Sequence, residues 1–176
     1  MEKKIHTAIF VSVLVLALPG LALAEPPASK IFVTHLDGGQ EVPARETLAT
    51  GQFTSKLNDD ETELSYRLIV ANIENVVAAH IHLGVAGVNG PIVAFLAGPF
   101  PPGGGRVDGV LAEGTITADD LIGPLVGQEL SVLAAAMRTG GTYANVHTND
   151  GVLPINTGPG DFPGGEIRGQ IRPTAP

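Results

Sequence analysis

The chain has 176 residues and a formal net charge of −8, because 18 acidic side chains outnumber 10 basic ones. This acidity disfavours nucleic acids and anionic membrane surfaces as partners. The absence of cysteine excludes disulfides and thiolate metal ligands. The length is that of one domain with a hydrophobic core.

The N-terminal residues have the pattern of an export signal. A basic start with Lys3 and Lys4 precedes an apolar run over residues 8–18, and a small-x-small cleavage site ends at Ala24. Because the run is short for a membrane span, we predict a cleaved signal peptide over 1–24, with a retained anchor as the alternative. We therefore expect a secreted, periplasmic or otherwise extracytoplasmic protein, with no stable membrane span after signal cleavage.

The rest of the chain alternates apolar and polar residues. After a short linker over 25–29 we predict one domain over 30–173. Its clearest strand is 63–71, where leucine and valine alternate with polar side chains. We predict strands over 30–36, 51–57, 63–71, 77–83, 91–97, 110–116, 143–148 and 166–172, one helix that begins after Thr117, and a second helix over 130–137.

Short strands separated by Gly/Pro-rich turns indicate an all-β fold. We predict an antiparallel β-sandwich or Greek-key barrel, in which one or two short helices lie in a crossover loop. No internal repeat and no second domain is evident between 30 and 173.

Two strand segments carry histidines, Ala79-His80-Ile81-His82-Leu83-Gly84 and Tyr143-Ala144-Asn145-Val146-His147-Thr148. Alternate residues of a strand share a face, so His80 and His82 point together and His147 points with Asn145. The apolar residues between them belong to the core, which leaves the imidazoles on the outer face. If the two strands are neighbours, three imidazoles converge as a copper or zinc ion requires.

We therefore predict a surface site for one copper or zinc ion at His80, His82 and His147. Candidate outer groups that hydrogen-bond this site are Asn145, Glu166 and Arg168. The ordinary alternatives are a solvated histidine in a strand and a solvated polar face for the last strand.

His35 is a weaker ligand candidate than the other three histidines. It shares a strand face with Ile31 and Val33, so we expect it in the core or at a sheet edge. The chain has no nucleophile elbow, phosphate loop or cysteine nucleophile. We therefore predict no catalytic residues and favour a binding protein over an enzyme.

The histidine segments belong to a longer series of motifs, which also includes Leu36-Asp37-Gly38-Gly39-Gln40-Glu41-Val42-Pro43, Thr50-Gly51, Asn89-Gly90-Pro91-Ile92-Val93 and Gly165-Glu166-Ile167-Arg168-Gly169-Gln170-Ile171. This series resembles the CHRD domain, named after the repeats in chordin, over residues 30–172. The resemblance implies an extracellular β-sandwich module without a settled biochemical activity. In chordin such domains belong to a protein that binds growth-factor ligands, which says little about a microbial relative. The candidate partner is a protein at the cell surface or in the periplasm.

The order of the histidine motifs is also similar to copper/zinc superoxide dismutase, in which the copper histidines lie outside a β-barrel beneath long loops. By this resemblance His80, His82 and His147 match three copper ligands. No histidine lies between His82 and His147, so the bridging and zinc-binding histidines have no counterpart. The disulfide cysteines are also absent, and Arg168 does not match the position of the catalytic arginine. The resemblance implies one open copper or zinc site without dismutase activity.

With these resemblances, the predicted fold is an Ig-like or superoxide-dismutase-like antiparallel β-sandwich or Greek-key barrel. The leading hypothesis is an exported metal-binding CHRD protein. A metal-free structural or protein-interaction module, whose histidines hold the loops rigid, is the alternative. A superoxide-detoxifying or other redox enzyme is a third.

Overall fold

The structure is a computed structural model that describes residues 29–174. The predicted signal peptide and most of the predicted linker lie outside the described residues. The described part contains one α-helix, α1 (Leu130–Arg138), and nine strands, β1 (Ile31–Asp37), β2 (Thr50–Leu57), β3 (Leu64–Glu74), β4 (Val76–Leu83), β5 (Ile92–Ala97), β6 (Arg106–Ile116), β7 (Thr142–Thr148), β8 (Ile167–Gln170) and β9 (Arg172–Pro173).

The strands form one antiparallel sheet in the order β5-β4-β7-β8-β1-β2-β3-β6, and β9 pairs with β1. The two ends of this path, β5 and β6, lie against each other. Across that gap, the Tyr66 hydroxyl of β3 donates to the Leu96 carbonyl of β5 at 2.8 Å. The sheet is therefore a nearly closed barrel, which confirms the predicted all-β class.

The core lies inside the barrel and is built from apolar side chains at alternate positions along the strands. Phe32 and Leu36 of β1 are fully buried, whereas His35 is exposed. The expectation of a core or edge position for His35 was therefore wrong. His35 is not in the core, because the opposite face of β1, with Phe32 and Leu36, packs inside the barrel. It is not at a sheet edge, because β1 lies between β2 and β8.

The crossover between β6 and β7 contains α1, close to the prediction, and buries Leu130, Leu133 and Met137 against the core. The helix predicted after Thr117 is only a 3-10 turn over Ala118–Asp120. The Asp120 carboxylate accepts from the Thr117 backbone N–H at 2.8 Å, but glycine and proline follow within a few residues and prevent elongation.

The predicted C-terminal strand 166–172 is divided into β8 and β9. Gly169 of β8 lies so close to β1 that a Cβ atom there would be 2.2 Å from the His35 carbonyl oxygen. This close approach agrees with the role expected for a glycine inside a strand.

Two connections lie over the outer face of β4 and β7. We call residues 84–91, between β4 and β5, the first cover loop, and residues 149–166, between β7 and β8, the second cover loop. Within residues 29–174, no helix combines the length and the apolarity needed to cross a membrane.

Candidate metal centre

His80 and His82 lie on β4, and His147 lies on the neighbouring strand β7. The inner face of β4 carries Ala79 and Ile81, which are fully buried, so the two imidazoles leave the barrel on its outer side. In the antiparallel register His147 pairs with Ala78 and His80 pairs with Asn145. This register brings the three imidazoles to one point on the outer face.

The three rings are close together. The distance between ring centroids is 4.8 Å from His80 to His147, 5.6 Å from His80 to His82 and 5.7 Å from His82 to His147. One ring nitrogen from each histidine can be chosen so that all three lie within 4.8 Å of one another. Metal–nitrogen bonds of about 2 Å put the ligand atoms of one ion about 3.3–3.5 Å apart. The ring nitrogens that are farthest apart would therefore have to approach by about 1.5 Å to bind one ion.

Each histidine has one buried ring nitrogen without a hydrogen-bond partner. The Nδ1 atoms of His82 and His147 contact the carbonyl oxygens of Gly90 at 3.0 Å and of Pro163 at 2.9 Å. Their Nε2 atoms, and Nδ1 of His80, are buried and unpartnered. Unpartnered buried polar atoms are uncommon in folded proteins, and three of them belong to this one cluster.

The cluster lies on the outer face of the sheet but is not exposed. His80, His82 and His147 are only 7%, 6% and 9% exposed, because the two cover loops lie over them. The site predicted at the surface is thus beneath the surface, since strand alternation gives the direction of a side chain but not the course of a loop.

The burial keeps the imidazoles neutral at pH 7. Desolvation, reinforced by repulsion from the other two histidines, lowers the pKa of His80 to about 3. Desolvation also lowers the pKa of His147 to about 4, against the opposing hydrogen bond to Pro163. The pKa of His82 is lowered as well, mainly by burial and in part by the positive charge of Arg168. Neutral rings keep the lone pairs that a metal needs.

Aromatic residues pack against two of the imidazoles. Phe95 of β5 lies opposite His80, and the two rings meet edge to face with 4.6 Å between their centroids. The Tyr143 ring stacks on His82 at 4.8 Å and an interplanar angle of 11°. These contacts restrict the orientation of both imidazoles.

The predicted outer groups occupy different positions. Asn145 lies opposite His80 on β7, and its Oδ1 is buried and unpartnered. The guanidinium of Arg168 lies 4.3 Å from the ring centroid of Tyr143 and donates to Asn89 Oδ1 at 2.9 Å. Arg168 is therefore separated from His82 by one aromatic ring.

Glu166 serves the second cover loop rather than the histidines. Its carboxylate accepts from the hydroxyls of Thr47 at 2.6 Å and Thr148 at 2.7 Å, and from the Gly160 backbone N–H at 2.9 Å. These bonds hold the loop that supplies the Pro163 carbonyl to His147.

Two further residues at this site were not identified from the sequence. Tyr143 has a detectable signal, since strand alternation places it on the same face as Asn145 and His147. Glu41 lies in an irregular segment before β2, where strand alternation does not apply, so its signal is limited to its place in the Leu36–Pro43 motif. Its Oε1 is buried and unpartnered and, like the Asn145 amide, lies within 3 Å of where a Cβ of Gly165 would stand.

The electrostatic environment of Glu41 is also unusual. Burial raises the pKa of its carboxyl to about 7, although Arg168 and Arg45 oppose this shift. A carboxyl with this pKa is half protonated near pH 7, so its proton can satisfy an acceptor that a carboxylate cannot.

Comparison with known proteins adds one finding. A family model described as the CHRD domain matches residues 32–171, nearly the whole described part of the chain. Neither the curated proteins nor the solved structures give a match.

Proposed function

Because the chain belongs to the CHRD domain family, we propose that it is a metal-binding member of that family. The bound species is one copper or zinc ion, held by His80, His82 and His147. The observation that carries this proposal is the cluster of three buried histidines that can each offer one ring nitrogen within 4.8 Å of those of the other two. Each of the three also has one buried ring nitrogen without a hydrogen-bond partner.

The donor chemistry supports the same ions. Imidazole is a ligand that suits copper and zinc, and three of them leave an open coordination position. Two of the rings direct Nδ1 at a backbone carbonyl, which is the usual outer arrangement of a metal-bound histidine because it orients the ring and raises its basicity.

We propose that the protein works outside the cytoplasm. This rests on the export pattern of residues 1–24 and on the extracellular character that the CHRD resemblance implies. Its role would then be metal handling at the cell surface or in the periplasm.

A second candidate function is a metal-free interaction module. It is favoured by the contacts of His82 with the Gly90 carbonyl and of His147 with the Pro163 carbonyl. These contacts would hold the cover loops in place even without a metal. A protein partner would then use the loops, and the histidines would contribute stability alone.

Calorimetric titration of the purified protein with Cu(II) and Zn(II) tests the metal proposal. We expect one ion per chain and an affinity lowered more than about 100-fold in His82→Ala and in His147→Ala, because loss of a ligand exceeds the cost of losing an outer hydrogen bond. His35→Ala removes an exposed histidine outside the cluster and should bind as the wild type does. Unchanged affinity in both cluster variants would contradict the proposal.

A further inference from the structure

We propose that the three-histidine site selects copper as the monovalent ion Cu(I) over Cu(II) and Zn(II). This inference rests on the proposed metal-binding function and concerns the charge that the site accepts. It follows from the ligand set, the burial of the site and the charged side chain behind it.

The ligand set is neutral. Among residues 29–174, the potential metal ligands that converge are the three histidines, without a carboxylate. The chain contains no cysteine, and Met137 of α1 is buried in the core. An ion at this site therefore keeps its full charge, and sulfur plays no part in the selection.

The burial of the site makes this charge costly. The imidazoles are almost completely shielded from solvent, and the energy of transferring an ion from water scales with the square of its charge. A divalent ion thus loses about four times as much hydration energy as a monovalent ion of similar size. Neutral ligands recover less of this loss than anionic ligands do.

Arg168 adds a fixed positive charge behind the site. Its guanidinium carbon lies 4.3 Å from the centroid of the Tyr143 ring. The Tyr143 ring in turn stacks on His82, with 4.8 Å between the two ring centroids. Arg168 is only 2% exposed, so solvent screens it weakly. Its repulsion of a bound cation is twice as large for a divalent ion as for Cu(I).

Three buried carboxyls, Glu41, Asp161 and Glu166, also lie at this end of the barrel, and none belongs to the converging ligand group. Glu166 accepts hydrogen bonds from Thr47, Thr148 and Gly160, and Asp161 accepts from Thr157. Glu41 interacts with the positive charges of Arg168 and Arg45, so it offsets part of the Arg168 charge. The selectivity therefore depends first on the neutral ligands and their burial, and Arg168 adds the part of its charge that Glu41 leaves.

The number of ligands favours the same ion. Zn(II) prefers four ligands, and Cu(II) prefers a tetragonal set. With three imidazoles, either divalent ion would need at least one further ligand from solvent, such as water or hydroxide, to complete its shell. Cu(I) is stable with three ligands and does not need this further ligand.

The test compares three ions on one purified protein. Cu(I) affinity is measured anaerobically against bicinchoninate, and Cu(II) and Zn(II) affinities against nitrilotriacetate, at pH 7. We expect Cu(I) to bind at least about 100-fold more tightly than either divalent ion. A 100-fold preference over Cu(II) raises the one-electron potential of bound copper by about 120 mV above that of aqueous copper, at 59 mV per tenfold. Equal or tighter binding of Cu(II) or Zn(II) would overturn the selectivity.

Arg168 variants test the electrostatic cause. Arg168→Gln should lower the potential of bound copper, whereas Arg168→Lys, which keeps the charge, should lower it less. An unchanged potential in Arg168→Gln would show that the charge of Arg168 does not affect the bound copper. The wild-type measurements decide the selectivity even if this variant fails to fold.

The failure of this inference is distinguishable from failure of the proposed function. If His147→Ala abolishes binding of all three ions but the wild type prefers a divalent ion, only the selectivity is wrong. If His147→Ala and His82→Ala bind copper as the wild type does, the three-histidine site itself is wrong.

Discussion

The three histidines are chemically inequivalent in the metal-free protein. His82 and His147 each point Nδ1 at a carbonyl oxygen, so the neutral ring must carry its hydrogen on Nδ1 and its lone pair on Nε2. In His80 the buried free atom is Nδ1. The Nε2 lone pairs of His82 and His147 are therefore free, and metal binding requires no change of tautomer at these two residues.

Acid should destabilise the metal-free protein through these residues. The folded pKa of His147 is about 4, while an unfolded histidine titrates near 6.5. Between these values the unfolded state binds more protons, so the free energy of unfolding falls as the pH drops from 6.5 toward 4. We expect a loss of about 2–3 kcal/mol from His147 over this range, measured by urea unfolding with a chelator present.

His147→Gln is the matched variant for this measurement, because the amide can still donate to the Pro163 carbonyl but does not titrate in this range. Its unfolding free energy should depend less on pH than that of the wild type. Parallel pH profiles for the two proteins would show that His147 is not a buried neutral histidine.

Glu41 should produce the opposite pH dependence. Burial raises the pKa of its carboxyl in the folded protein from the ordinary 4.5 to about 7, so the stability that it contributes at low pH is lost as the pH rises through 7. We expect Glu41→Gln to be about 1–2 kcal/mol more stable than the wild type at pH 8 and nearly equal to it at pH 5. The exposed Glu46 supplies the control Glu46→Gln, for which no such difference is expected.

At the scale of elements, the second cover loop depends on long-range hydrogen bonds rather than on a regular structure of its own. Glu166 connects β7, the loop and the segment before β2 through Thr148, Gly160 and Thr47. Because the same loop supplies the carbonyl that orients His147, its order and the geometry of the site are coupled.

Glu166→Gln tests this coupling. The new amide group presents hydrogens where the carboxylate accepts hydrogen bonds, so we expect a loss of about 1–3 kcal/mol in unfolding free energy. Metal affinity should fall by about 10–100-fold, as for an outer group, and by less than in His147→Ala. A normal affinity together with reduced stability would show that the loop does not control the site.

At the scale of the molecule, the barrel supplies a rigid support for the site. β4 and β7 are inner strands of the sheet path, and their inward side chains belong to one hydrophobic core. The three ligands are thus held on paired strands with a common core, which is the placement that gives precise metal geometry.

Metal should therefore stabilise the whole fold. A ligand that binds only the native state adds about 4 kcal/mol at 1,000 times its dissociation constant. We expect added metal to raise the melting temperature of the wild type. Added metal should leave the melting temperature of His80→Ala unchanged. The metal-free module predicts the reverse pattern, in which metal has no effect and His80→Ala only lowers the melting temperature.

Most of the strands are predictable because their signal is local. The alternation of apolar and polar residues in β3 matches the alternation of buried and exposed positions in that strand. The predicted strand 77–83 differs from β4 by one residue, although both faces of β4 are buried. The helix predicted after Thr117 failed because its capping pattern is also that of a single 3-10 turn. The face of β1 was misassigned at His35 because both faces contain apolar residues.

The sequence alone determined the all-β class, the motifs of the family and the outward direction of His80, His82 and His147, because strand geometry has a period of two residues. The tertiary structure alone decided that β4 and β7 are neighbours, in the register that brings these rings together. It also decided that the cover loops bury them, through contacts such as that between Arg168 and Asn89, which are 79 residues apart. Strand pairing and loop course depend on contacts distant in sequence, which no local pattern records.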